Sequence, residues 1–220
     1  MKRLLHKYSH AWVFLYFPIY LIWFYFLEQT VTEEYHIVHT KLDDFIPFNE
    51  LFIIPYLLWF AFIAAVMLYF FFTNKRDFYR ICIFLFVGMT VCLLIYTIWP
   101  NGHNLRPNLA TLGRDNLFVR LVGFIYAADT PTNVCPSIHV LNSVGCCIAI
   151  FHSSSLKNKR FLRAATLILT VAICASTVFL KQHSCFDVFC GLLLALVMHW
   201  LAYLPKFSRI PEEIHETSTI

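Results

Sequence analysis

An all-α integral membrane protein is the fold class that the sequence predicts, as a six-transmembrane-helix bundle with cytoplasmic N- and C-termini. Of its 220 residues, 59% are hydrophobic and only 14% are charged, and the mean hydropathy is +0.65. A soluble domain carries about 25% charged residues. The apolar residues also lie in runs close to the roughly 20 residues that cross a hydrocarbon layer. Composition and run length together exclude an ordinary soluble domain.

Six apolar runs are the predicted spans, namely Ala11–Leu27, Phe48–Phe72, Ile81–Trp99, Ser137–His152, Leu162–Leu180 and Cys185–Leu204. The fourth run is the weakest because it is short and contains several polar residues. A further apolar segment, Leu117–Ala128, is too short to span and carries Arg120, which predicts an interfacial or re-entrant helix. The first run follows a basic N-terminus, as in a signal peptide. It is long and aromatic and lacks a small-residue cleavage site, so we expect a retained helix.

The orientation follows from the basic residues in the short loops. With six crossings, 12 of the 17 basic residues fall on one side: Lys2, Arg3, Lys7, Lys75, Arg76, Arg80, Lys157, Lys159, Arg160, Arg163, Lys206 and Arg209. We expect this side to be cytoplasmic. The basic residues do not follow one face, which is not the pattern of a nucleic-acid-binding protein.

We expect a single multi-pass membrane domain over residues 1–220, with a catalytic core at about 81–204 and a disordered polar tail after Pro205. Six of the eight cysteines lie within apolar runs, which is typical of small buried hydrophobic residues. Cys135 and Cys185 lie near a membrane surface, and a disulfide between them is left open. His36 and His39 offer an incomplete ligand set, so we expect no metal and no cofactor.

Three polar motifs lie on the predicted outer side, at Asn104–Pro107, Asn133–His139 and Ser176–Asp187. Ionisable groups at membrane depth are costly and usually functional. His183 and Asp187 are four residues apart, so at a helix start the carboxylate can hold one imidazole nitrogen. The other nitrogen is then free as a nucleophile or a base.

The remaining motif residues predict an anion site. Pro136 suits the first position of a helix, which would place Ser137 and His139 in a first turn rich in free N–H groups. Arg106 could grip phosphate oxygens as a fork, and Lys181 could add a point charge. An oriented histidine beside such a cradle is suited to phosphoryl transfer.

At these residues the sequence resembles the phosphatidic acid phosphatase type 2 superfamily. Pro136-Ser137-Ile138-His139 resembles its second motif, Pro-Ser-Gly-His. The series Ser176, His183 and Asp187 matches the spacing of its third motif, and Arg106-Pro107 resembles the end of its first. The resemblance covers about Ile81 to Leu204 and includes the six-helix plan.

The resemblance implies a role for each motif residue. His183 would attack phosphorus to form a phosphohistidine, with Asp187 orienting it and His139 protonating the leaving oxygen. Arg106 and Ser137 would hold the phosphate without any metal. The sequence departs from the family at Trp99, Ile138 and Thr177, which stand where the family has a lysine, a glycine and an arginine. Two cations are therefore missing, which favours a less charged group such as a phosphodiester.

The sequence thus predicts a membrane phosphatase that hydrolyses a lipid phosphomonoester or lipid pyrophosphate at the outer face of the cytoplasmic membrane. Its expected partners are this lipid substrate and the surrounding membrane lipids. One alternative is a phosphotransferase that passes a lipid phospho-headgroup to an alcohol, as the inositolphosphotransferase-like and sphingomyelin-synthase-like members of the family do. Another is a non-catalytic protein that binds or carries a lipid phosphate.

Overall fold

The computed structural model describes residues 8–31 and 34–203. The basic N-terminal residues, Glu33 and the polar tail lie outside this part of the chain. Within it, the long helices are α1 (Ser9–Thr30), α3 (Glu50–Thr73), α4 (Lys75–Ile98), α7 (Arg160–Phe179) and α8 (Cys185–Tyr203). The shorter helices are α2 (Lys41–Phe45), α5 (Leu117–Ala128) and α6 (Ile138–His152), and two short strands are β1 (His36–Ile37) and β2 (Asn101–Gly102).

Five helices, α1, α3, α4, α7 and α8, are long and apolar enough to cross a membrane. This confirms an all-α membrane protein. The predicted fourth span forms α6, whose 15 residues extend only about 22 Å, against roughly 30 Å of hydrocarbon. The sixth crossing and the side on which the termini lie therefore stay predictions. The segment Leu117–Ala128 is a helix, as expected.

Helix α6 lies at the centre of the bundle and packs most extensively against α7 and α8, and also against α3. Its buried residues include small or polar ones such as Asn142, Ser143 and Gly145. Small residues let helices approach closely where there is no hydrophobic force between them in lipid. The exposed apolar residues of the outer helices, such as Ile22 of α1 and Ile168 of α7, provide the lipid-facing surface.

The start of α8 packs against the start of α6. The backbone N–H of Ser137 donates to the carbonyl of Asp187 at 3.1 Å. A Cβ atom at Gly191 would lie only 2.9 Å from the carbonyl oxygen of Ser137, so glycine is required for this approach. The second and third motifs are thereby adjacent in space.

A small β-structure connects the loops above the bundle. β1, which follows α1, pairs in parallel with β2, which follows α4, in the register His36 to Asn101. Gly102 also forms an antiparallel bridge with Thr132, which joins the segment before the second motif to β2. All eight cysteines are free, so the disulfide between Cys135 and Cys185 is not formed.

Candidate active site

Two histidines from separate motifs face each other. His183 lies between α7 and α8, and its Nε2 atom is 3.4 Å from Nδ1 of His139 in the first turn of α6. His183 is buried. The two rings are tilted steeply to each other, with an interplanar angle of 65°. The structure therefore brings together the second and third motifs, as their order in the sequence predicted.

Asp187 lies behind His183. Its Oδ2 atom is 3.4 Å from Nδ1 of His183, which is close enough for charge pairing but too poorly aligned for a hydrogen bond. The same Oδ2 accepts a hydrogen bond of 2.8 Å from the backbone N–H of Ser184, as in a capping box. The carboxylate is thus held at the start of α8. Its position favours a proton on Nδ1 and leaves the lone pair of Nε2 directed toward His139.

His139 packs between two aromatic rings of α3. Its ring centroid is 4.7 Å from that of Tyr56 and 4.3 Å from that of Trp59. These contacts restrict the rotation of the imidazole. They also place both histidines at the edge of a cavity that runs along α3.

The cavity has a volume of about 690 Å³ and mostly apolar walls. Near the histidines it is lined by Asp129, Asn142 and Gln182. Away from them it is lined by aromatic and aliphatic side chains of α1, α3 and α4: Phe14, Phe17, Tyr20, Leu21, Phe24, Phe60, Ile63, Met67, Leu68, Leu85, Phe86 and Met89. Ligand pockets of about 300–1,000 Å³ with few polar groups are typical of small-molecule sites.

Arg106 binds protein acceptors with both Nη atoms. Nη1 donates to the carbonyls of Asp129 at 2.7 Å and Tyr126 at 3.3 Å, and Nη2 donates to the carbonyl of Thr130 at 3.0 Å. Nη2 also donates to Oε1 of Gln182 at 2.5 Å. Arg106 therefore joins the first motif to the segment after α5 and to the third motif. The phosphate contact expected of it stays a prediction.

The two other predicted phosphate ligands also contact the protein. Lys181 donates from Nζ to the backbone carbonyl of Asp43 at 2.8 Å. Ser137 is fully buried and accepts a hydrogen bond from the N–H of Val140 at 3.4 Å, as the N-cap of α6. Pro136 precedes this cap, so the expectation that it occupies the first helical position is wrong. Serine is a preferred cap residue because its hydroxyl accepts a helical N–H, so the helix begins at Ile138 rather than at Pro136.

Glu28, at the end of α1, is a site-forming residue that sequence analysis missed. Its carboxylate accepts hydrogen bonds from the N–H and hydroxyl of Thr130 and from the amide of Asn133. The three contacts anchor the segment that leads into the second motif. An ionisable residue directly after an apolar run was the signal available in the sequence.

Asp43 has the corresponding role for the third motif. Its carboxylate accepts from the hydroxyl of Ser184 at 2.6 Å and the N–H of Cys185 at 2.7 Å, and from Thr40 in the capping box of α2. Burial opposes the charged form, but these hydrogen bonds outweigh it and lower the pKa of Asp43. The start of α8 is thereby fixed to the loop before α3.

Asn101 and His103 of the loop after α4 complete the support. Asn101 accepts from the backbone N–H groups of Val134 and Cys135. His103 accepts from the N–H of Leu105 at Nδ1 and contacts the carbonyl of Gln182 with Nε2 at 2.9 Å. Because Nδ1 accepts, Nε2 carries the proton and donates. Burial lowers the pKa of His103 to about 4, and the charge of His183 adds to the effect.

The fold and the site define a membrane protein of helical bundle type with a paired-histidine centre at one end of an apolar cavity. Residues 104–210 match the model of the PAP2 superfamily. This superfamily is the one that the chain's motifs resemble. Neither the curated proteins nor the solved structures contain a match. The match supports a lipid phosphoester hydrolase of phosphatase type or a related transferase.

Proposed function

We propose that this protein hydrolyses a lipid phosphoester through a phosphohistidine on His183. The observation that carries the proposal is the 3.4 Å approach of His183 Nε2 to His139 Nδ1 at the edge of an apolar cavity. Nε2 of His183 can bind phosphorus while Nδ1 of His139 exchanges a proton with an oxygen atom on that phosphorus.

The reaction has two steps. In the first, Nε2 of His183 attacks phosphorus, the bond from phosphorus to the lipid oxygen breaks, and His139 gives this oxygen a proton. In the second, water attacks phosphorus, returns a proton to His139, and the bond to Nε2 breaks. Asp187 stabilises the positive charge that His183 acquires as a nucleophile.

The shape of the cavity favours a lipid. It is lined by α3 from Tyr56, which packs on His139, to Leu68, and by α1 from Phe14 to Phe24. The 12 helical rises between these two residues of α3 correspond to about 18 Å along the helix, which is more than half of the roughly 30 Å hydrocarbon layer. A phosphate at the histidines can therefore extend a hydrocarbon chain far into the bilayer within the cavity.

The site is proposed to open at the extracytoplasmic face of the cytoplasmic membrane. The support for this side is the excess of Lys and Arg in the loops at the opposite ends of the helices, because such loops remain in the cytoplasm.

The test uses purified protein in detergent with a chelator and a panel of lipid phosphoesters. Formation of the dephosphorylated lipid is followed for wild type, His183→Ala and His152→Ala. His152 is a matched control because it lies at the other end of α6 and contacts Ile148 and His199. Turnover by wild type and His152→Ala but not by His183→Ala supports the proposal.

Three other outcomes contradict the hydrolase. Equal rates in wild type and His183→Ala would remove His183 as the nucleophile. Turnover that requires an added alcohol would assign headgroup transfer. Binding of lipid phosphates without turnover would assign a carrier.

A further inference from the structure

The polar end of the cavity has few positive charges. Among the described residues that line it, none is a lysine or an arginine. Arg106 lies nearby, but it does not line the cavity; its Nη atoms bind carbonyls and Gln182, and only its Nε has no acceptor among the described residues. Lys181 binds the carbonyl of Asp43. A phosphate on His183 therefore meets few charged donors.

Neutral donors are available instead. Nε2 of Gln182 and Nε1 of Trp59 are buried N–H groups without an acceptor in the described structure, and both residues line the cavity together with His139 and His183. An unpaired buried donor costs about 1–3 kcal/mol, so native structures rarely keep one without reason. A phosphate oxygen beside the histidines would satisfy them.

The cavity also has a free carboxylate. Asp129 lines the same cavity as the histidines and lies within electrostatic range of His183. Its side chain makes no hydrogen bond within the described residues, whereas the oxygens of Glu28 are all occupied by Thr130 and Asn133. The groups that act on Asp129 are Glu28 of α1, Arg106 and His183. Burial first, and then the charge of Glu28, raise the pKa of Asp129 to about 6, so the carboxylate is charged at neutral pH. The sequence pattern at Asp129 and Thr130 predicts only a turn.

We propose that this site selects a lipid phosphodiester, which carries one negative charge at phosphorus, and that Asp129 determines the selection. The carboxylate repels the second charge of a phosphomonoester and accepts a hydrogen bond from a headgroup hydroxyl or ammonium group. The inference rests on the proposed function and deepens it. The headgroup stays on phosphorus when the bond from phosphorus to the lipid oxygen breaks, and water then displaces the headgroup phosphate from His183.

The test compares lipids with identical acyl chains, so that binding of the chains cancels. Phosphatidic acid is the monoester, and phosphatidylglycerol and phosphatidylethanolamine are the diesters with a hydroxyl and an ammonium donor. Each yields diacylglycerol, which allows kcat/KM to be compared by one assay at pH 7.5. Wild type, Asp129→Asn and Asp129→Ala are measured, with Asp115→Asn as the matched control. Asp115 is exposed and paired with Arg120.

Wild type should prefer at least one diester to phosphatidic acid. Both Asp129 variants should raise kcat/KM for phosphatidic acid about tenfold or more, because they remove a like charge near phosphorus. Asp115→Asn should leave the preference unchanged. The wild-type rate for phosphatidic acid, divided by that of Asp129→Asn, should rise as the pH falls through about 6, and this ratio cancels the titration of the substrate.

A wild-type preference for phosphatidic acid would overturn the proposal. The proposal would also be overturned if the ratio of kcat/KM for the monoester to kcat/KM for the diesters in both Asp129 variants stayed within about twofold of the wild-type ratio. In that case, turnover that depends on His183 would still support hydrolysis. No turnover of any of the three lipids would contradict both proposals.

Discussion

Nε2 of His183 lies 3.4 Å from Nδ1 of His139, although the two residues are 44 positions apart in the chain. The pair is held by contacts from elements that carry no part of the motifs: Glu28 at the end of α1, Asp43 of α2, and Asn101 and His103 after α4. The predictions below separate the action on phosphorus that is proposed for the two histidines from the role of the residues that position them.

Substitution of the two histidines should have different effects on the reaction. His183→Ala should abolish the phosphoenzyme because it removes the nucleophile. His139→Ala should lower the rate by about 10²–10⁴-fold, because general acid catalysis contributes that much, and the loss should be largest for lipids with poor leaving groups. Phosphoenzyme trapped by rapid quenching with labelled substrate measures both effects. A labelled phosphoenzyme in His183→Ala would contradict the assignment.

Asp187→Asn should keep the fold and lower kcat. Asparagine can still accept from the N–H of Ser184, but it cannot stabilise a positive charge on His183, so kcat should fall by about 10²–10⁴-fold. KM should change little. Thermal unfolding in detergent serves as the control, and a loss of stability large enough to account for the lower kcat would indicate a structural role only.

Glu28→Ala should destabilise the protein by about 2–4 kcal/mol, because it leaves buried donors of Thr130 and Asn133 without their charged acceptor. The variant should also lower kcat, since the segment before the second motif loses its anchor. Thermal unfolding and turnover are compared with Glu34→Ala, an exposed carboxylate on the following loop. Equal stability of the two variants would contradict the anchoring role.

His103 should make the protein less stable in acid. In the folded protein its pKa is about 4, below the ordinary value of 6.5, so the unfolded chain takes up a proton first as the pH falls. The stability that the neutral ring provides is complete above about 6.5 and is lost progressively down to about 4, by about 3 kcal/mol in total. Unfolding measured from pH 7.5 to 4.5 should show a smaller loss for His103→Gln than for wild type. Parallel curves would refute the prediction.

Lys181→Met tests the phosphate role predicted for this cation. Since Nζ donates to the carbonyl of Asp43, we expect lower stability and a KM for the lipid within about threefold of wild type, as expected when a hydrogen bond remote from phosphorus is lost. A KM more than about tenfold higher, at unchanged stability, would instead place the ammonium on the phosphate.

Most of the helices and the motif residues that meet at the candidate site could be predicted from the sequence. Long apolar runs are a local signal, and the helices follow them closely; α4 begins at Lys75 rather than Ile81 because Asn74 caps it and polar residues can form its first turns. The length of α6 was harder to predict, because its small and polar residues lower the local hydropathy and leave the ends of the apolar run poorly defined. The motif spacing identified His139, His183 and Asp187 because i, i+4 geometry and loop order are readable along the chain.

Hydropathy and motif order, both properties of the linear chain, were sufficient for the membrane fold, the superfamily and the candidate nucleophile. Which side chains remain free at the cavity was decided only by the tertiary structure. Arg106 and Lys181 are equally good phosphate ligands in the sequence, yet carbonyls of distant segments accept hydrogen bonds from the Nη atoms of Arg106 and from Nζ of Lys181. Asp129 looks like a turn residue and lies at the cavity without a hydrogen bond. Whether a side chain is free depends on hydrogen-bond partners that are far apart in the chain, and a local sequence pattern contains no information about them.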